Sequence, residues 1–116
     1  MTVAETAEST FIIRSFPVGP LQCNCSIVGD RVTGRAMIVD PGGNAEQILA
    51  LVAELELNVV AIIHTHAHLD HILAAGEIKQ ATGASIYLHR DDKFLWDMLE
   101  QQCSMVGVPY TPLPEP

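Results

Sequence analysis

Hydrophobic positions along this chain change their period several times, and each change marks an element. In FIIRSF (11–16) and QCNCSIV (22–28) β-branched, aromatic and cysteine residues dominate, and Pro17, Gly19 and Pro20 between them mark a turn. A hairpin of two strands is predicted. Gly29, Asp30 and Gly34 punctuate the next connection, and AMIVD (36–40) is a third strand that stops in the tight loop Asp40-Pro41-Gly42-Gly43. Asn44 and Gln47 have the spacing of a capping box, and Ile48, Leu51, Val52 and Leu55 recur at three and four residues. An amphipathic helix over about 45–57 follows. VVAII (59–63) has no polar alternation, as expected of a strand covered on both faces.

A second helix fits 70–81, with Gly83 as its C-terminal cap, and SIYLH (85–89) reads as another strand. Asp91 or Asp92 can cap a third helix whose buried stripe is Phe94, Leu95, Met98, Leu99 and Gln102. Beyond Gly107 the chain, VPYTPLPEP, has neither helical nor strand pattern. The expected organisation is a flexible N-terminus (1–10), a partial domain (11–106) and an extended, proline-rich end (107–116). Strands followed by alternating helix and strand, without a repeat, predict an α/β layer packing with helices on a mixed sheet.

Composition sharpens this picture. A chain of 116 residues holds at most one domain, and 48% hydrophobic against 17% charged residues is apolar for so small a unit. Apolar surface is therefore expected for a partner or for further chain. A net charge of −8, with only six Lys and Arg, argues against a nucleic-acid partner. No apolar run reaches the length of a membrane span, and MTVAETAEST lacks the basic start and apolar stretch of a signal peptide. The expected location is cytoplasmic, with no membrane partner. Cys23, Cys25 and Cys103 form no CxxC pair, which fits reduced thiols, and the C-x-C spacing puts Cys23 and Cys25 on one buried strand face.

The segment HTHAHLDH (64–71) holds four of the five histidines of the chain. Chance surface composition and a helix start capped by Asp70 are the plain explanations; a metal site is the specific one. The segment begins where a predicted strand ends, which is where open α/β sheets collect ligands. In an extended loop His66 and His68 project to the same side, and Asp70 with His71 follows at the helix start, aimed at a neighbouring position. Imidazole and carboxylate without thiolate suit zinc, manganese or iron. The pattern H-x-H-x-D-H favours the metal site. His64 lies outside the pattern and is read as structural, and nothing in the spacing of His89 makes it a ligand.

THAHLDH (65–71) resembles the metal-binding signature of the metallo-beta-lactamase superfamily, and specifically of its glyoxalase II-like (hydroxyacylglutathione hydrolase-like) enzymes. FPVGPLQCNCSIVGD (16–30) is similar to the family's opening strands and IVDPGG (38–43) to its strand and loop before the first helix. The resemblance runs from about residue 11 onward. It implies an α/β fold, the N-terminal half of an αββα sandwich. It also implies two divalent metal ions, zinc first with iron or manganese as alternatives. His66 and His68 would hold the first ion, and Asp70 and His71 the second. Asp70 would also be catalytic, orienting the attacking water, and Asp40 would support the ligands from behind. The implied reaction is hydrolysis of a thioester, such as an acylated glutathione, by metal-activated hydroxide. Alternatives are a non-catalytic metal-binding fragment or pseudoenzyme, and a sulfur dioxygenase or lactonase on the same fold.

The resemblance also implies ligands that this chain lacks. Family members are about double its length, and their later half adds a histidine to each ion and a bridging aspartate. A catalytic zinc wants three protein ligands and a water, whereas each ion here would have two. The chain is expected to be half of a hydrolase, cut short or completed by self-association or a complementing chain, with little or no turnover alone.

Overall fold

A computed structural model describes residues 10–116, so the expected flexible N-terminus falls, apart from Thr10, outside the described residues. Strand β1 (Phe11–Val18) pairs antiparallel with β2 (Cys23–Asp30), and Phe11 meets Asp30 while Val18 meets Cys23. Both strands run longer than the sequence pattern suggests. Pro17 lies inside β1 instead of the turn, which is tolerated because β1 is the sheet edge. Along β2 the side chains of Cys23, Cys25 and Ile27 are buried and alternate with outward-facing Asn24, Ser26 and Val28. All three cysteines are free and buried, Cys23 and Cys25 as their spacing predicted. Burial pushes the Cys25 thiol up to about 12 and Cys23, with added repulsion from Asp40 and Asp70, up to about 11.

Strand β3 (Arg35–Val39) pairs antiparallel with β2, helix α1 (Ala45–Glu54) crosses over, and β4 (Asn58–Ile63) returns parallel to β3. Strand β5 (Ser85–Tyr87) adds a further parallel neighbour, giving a mixed sheet in the order β1-β2-β3-β4-β5. Because β3 and β4 are parallel with Val39 opposite Ile63, their carboxyl ends stop side by side. The Asp40 N–H donates to the Ile63 carbonyl (2.9 Å), so the loop after β3 and the histidine segment after β4 leave the sheet together.

Three local expectations are corrected. Asn44 forms no capping box: its backbone is left-handed (φ 54°), its Nδ2 donates to Gln47 Oε1 (2.9 Å), and its Oδ1 accepts from the Gly19 N–H (3.2 Å). It fastens the loop after β3 to the β1–β2 turn, and α1 ends early, before Glu56 turns left-handed. The helix predicted over 70–81 is two, α2 (Leu69–Ile72) and α3 (Ala75–Thr82). The Ala74 N–H donates to the Pro41 carbonyl (2.9 Å), and the Asp70 carbonyl oxygen sits where a Cβ on Gly42 would be. Only glycine admits that contact. Gly83, at φ 73°, does close α3 as predicted, its N–H donating to the Lys79 carbonyl (2.7 Å).

The third helix is also divided. A 3₁₀ turn at Arg90–Asp92 leads into α4 (Lys93–Asp97) and α5 (Leu99–Val106), and the cap is His89, whose Nδ1 accepts from the Asp91 N–H (3.1 Å). The buried stripe is Trp96, Leu99 and Cys103, while Phe94 (59% exposed) and Met98 (44%) face out. Trp96, Leu99 and Cys103 still recur at three and four residues, so the buried face keeps a helical period across the break at Met98 but is turned away from Phe94 and Met98. After Gly107 the extended chain lies back on these helices, and the Trp96 indole donates to the Pro114 carbonyl (3.1 Å).

The core joins the helices to one face of the sheet through Ile27, Ile38, Ile48, Ile62, Ile72 and Ile78, all fully buried. The opposite face carries exposed Phe11, Ile13 and Tyr87 and half-buried Val28, Met37 and Ile63. β4 is therefore covered on one side only: Val59 and Ile62 are buried, and the apolar residues between them line the open face. No helix among the described residues is long and apolar enough to cross a membrane.

His64, just past β4, is structural. It is buried, its Nδ1–H donates to the His71 carbonyl (3.0 Å), and its ring meets Trp96 edge-on at 5.4 Å between centroids. Burial lowers its pKa from 6.5 to about 4, so the ring is neutral at physiological pH.

Two outcomes are expected. Ile38→Ala should cost about 2–5 kcal/mol in urea unfolding, and Ile13→Ala on the open face no more than about 0.5 kcal/mol. Comparable losses at both sites would contradict the one-sided core. Because His64 takes up a proton more readily unfolded than folded, stability should fall as pH drops from 6.5 towards 4, by up to about 3 kcal/mol. His64→Leu should remove that part of the acid dependence when unfolding is compared at both ends of the window, and an unchanged pH slope would contradict a neutral, buried ring.

Candidate metal centre

The segment after β4 is built by alternation. His64, Ala67, Leu69 and Ile72 are buried and anchor it, which turns Thr65, His66, His68, Asp70 and His71 towards the open end of the sheet. Gln102 of α5 holds the loop at its middle. Its Nε2 donates to the Ala67 (3.2 Å) and Leu95 (2.8 Å) carbonyls, and its Oε1 accepts from the Leu69 N–H (2.9 Å). The His71 N–H donates to the His68 carbonyl (2.9 Å) and closes the first turn of α2. Helical spacing had put Gln102 in an apolar stripe; it is instead the polar clamp of the loop.

The predicted donors come together. The His66 and His71 rings lie 4.0 Å apart between centroids, and His68 stands nearly perpendicular to His66 at 4.7 Å. Asp70 does not cap the helix; its Oδ2 lies 3.3 Å from His71 Nε2. His89 is turned into its own loop against Asp91 and contributes nothing here. Among the described residues no three His, Cys, Asp or Glu side chains are disposed to hold one ion.

Asp40 stands behind them, 5% exposed. Its Oδ1 accepts from the Thr65 N–H (2.8 Å), its Oδ2 accepts from the Thr65 hydroxyl (2.6 Å), and the same Oδ2 lies 3.2 Å from His71 Nδ1. The Asp40 backbone is left-handed (φ 55°), an uncommon conformation for a residue with a Cβ, and it carries the carboxylate across to the end of β4. Cys23 Sγ approaches the same His71 Nδ1 at 3.4 Å. Sequence reasoning missed Thr65, Gln102 and Cys23 as neighbours of the site. Thr65 sits inside the motif and could have been singled out; the other two are brought in by register and packing.

The donor chemistry fits a divalent cation. His71 stands between two carboxylates, with Asp40 Oδ2 3.2 Å from Nδ1 and Asp70 Oδ2 3.3 Å from Nε2. A proton on Nε2 satisfies the Asp70 contact, and a divalent cation held by Nε2 and Oδ2 would satisfy it in the same way. Neutral imidazoles and a carboxylate are the set that zinc, iron and manganese accept.

Comparison with known proteins identifies the family. The profile of the metallo-beta-lactamase superfamily matches residues 18–115. The chain is 41% identical over 98 residues to the hydroxyacylglutathione hydrolase GloC of Haemophilus influenzae, covering 84% of this chain and 46% of that protein. Among solved structures it is similar to the BLEG-1 B3 metallo-beta-lactamase (TM-score 0.79, 30% identity, 90% of this chain and 50% of that one). It is equally similar to TTHA1623 in a di-iron-bound form (TM-score 0.79, 30% identity, 89% and 51%). The chain spans about half the length of the curated relatives it matches. A mixed sheet that brings H-x-H-x-D-H to the carboxyl ends of its parallel strands, matched along nearly its whole length by one family, belongs to the metallo-beta-lactamase superfamily.

Proposed function

We propose that this chain carries the metal-binding half of a dinuclear metallo-hydrolase for thioesters of the hydroxyacylglutathione type. The observation that carries the reading is the facing pair His71 Nε2 and Asp70 Oδ2, with the His66 ring packed against His71. The named function of the Haemophilus relative supports the substrate class. His66 and His68 would hold one ion, and Asp70 and His71 the other; zinc is the first assignment, with iron or manganese compatible with the same donors. Divalent metal bound there supplies Lewis acidity towards a carbonyl oxygen and lowers the pKa of water.

The protein's own contributions are positional. Asp70, on the first turn of α2, offers a carboxylate oxygen that would accept a hydrogen bond from water and so orient it. Asp40 fixes His71 from the opposite ring nitrogen, which keeps Nε2 directed at the site. Gln102 and the buried Ala67 and Leu69 keep the loop from moving when substrate enters. The net charge of −8 and the absence of a basic cluster favour a small-molecule substrate over nucleic acid. With two donors per ion, completion of both coordination shells needs further donors, from more polypeptide or from a second chain.

Zinc or cobalt(II) titration should show metal uptake that weakens in His66→Ala/His68→Ala and in Asp70→Ala/His71→Ala, and disappears when all four are replaced. Equal uptake by the wild type and the fourfold variant would remove the basis of the reading. Thiol release from an acylated glutathione should not rise above a metal-stripped control for the 116-residue chain, and clear release above that control would contradict the need for further donors. Any turnover that is seen should be lost in His66→Ala/His68→Ala, and turnover that survives that replacement would assign the activity elsewhere.

A further inference from the structure

Thr65 is not a donor in the site proposed above, yet its hydroxyl stands between Asp40 and His66. A carboxylate oxygen can only accept, so at 2.6 Å the Thr65 hydroxyl proton points at Asp40 Oδ2. The hydroxyl oxygen then has only lone pairs to offer His66 Nδ1, 3.0 Å away, and the contact is attractive when Nδ1 carries the imidazole proton. That leaves the lone pair of neutral His66 on Nε2. The Thr65 backbone N–H, bonded to Oδ1 at 2.8 Å, stops the carboxylate from rotating and fixes the direction of the chain.

We propose that Thr65 is a positioning residue that sets the tautomer of His66 through a His66–Thr65–Asp40 hydrogen-bond chain and so commits Nε2 to the metal. Asp40 Oδ2 also faces His71 Nδ1 at 3.2 Å. One carboxylate oxygen thus governs an imidazole from each donor pair, His71 by direct approach and His66 through the threonine. The purpose of the chain rests on the metal reading above, but the hydrogen bonds themselves need no metal.

The test uses metal-free protein. Long-range ¹H–¹⁵N correlation spectra recorded near pH 8.5, about two units above the ordinary histidine pKa, report which ring nitrogen holds the proton. His66 should be the Nδ1–H form in the wild type. Thr65→Val, which keeps the shape and removes the hydroxyl, should move His66 towards the Nε2–H form that an unconstrained side chain favours, with His71 unchanged. Thr65→Ser should restore the wild-type signature. Zinc affinity should fall about 10–100-fold in Thr65→Val and return in Thr65→Ser. A wild-type His66 found as Nε2–H, or a His66 signal that stays Nδ1–H in folded Thr65→Val, overturns the assignment. If Thr65→Val does not fold, the wild-type spectrum still decides it. Failure of the wild type to bind zinc would count against the metal reading alone, because the tautomers are read without metal.

Discussion

The contact between the Asp40 carboxylate and Thr65 joins the carboxyl ends of β3 and β4, and the site depends on it. Burying a carboxylate is unfavourable unless its oxygens are hydrogen-bonded. Asp40 meets that condition with the Thr65 N–H and hydroxyl, and its second oxygen also faces the His71 ring. The left-handed backbone at Asp40 costs on the order of 1–3 kcal/mol, which a structure tolerates when surrounding contacts determine it. Here the Asp40 N–H on the Ile63 carbonyl and the two Thr65 bonds do so. The strain therefore coincides with the point from which two imidazoles are oriented.

Around that joint the chain behaves as one side of a larger packing. Its isoleucines fill the space between helices and one sheet face, while Phe11, Ile13 and Tyr87 remain on the other. An apolar sheet face of this kind is a surface for covering, by more chain or by another molecule. The site proposed for two ions has two donors for each, where catalytic zinc uses three protein ligands.

Where local signals were consistent with their surroundings they were legible. The β2 alternation, the Gly83 cap and the placement of the histidines after a strand are set by period and by residue type. Where a residue had a better partner far away, the local rule failed. Asn44 and Gln47 have capping-box spacing, but the Gly19 N–H, 25 residues away in sequence, took the Asn44 side-chain oxygen Oδ1. The periodic run over 70–81 is interrupted because the Ala74 N–H found Pro41 and the Asp70 carbonyl packed on Gly42. VVAII lacks alternation because its uncovered face is apolar too, which period alone does not distinguish from burial on both sides.

By itself the sequence determined the element order, the mixed α/β class and the identity of the clustered donors, because periodicity, turn chemistry and ligand spacing are properties of neighbouring residues. The tertiary structure decided what supports those donors. Asp40 meets Thr65 across 25 residues, and Gln102 reaches Leu69 across 33 and Ala67 across 35. Such contacts exist only once the parallel register of β3 and β4 and the packing of α5 are in place, since nothing in either short segment specifies its distant partner.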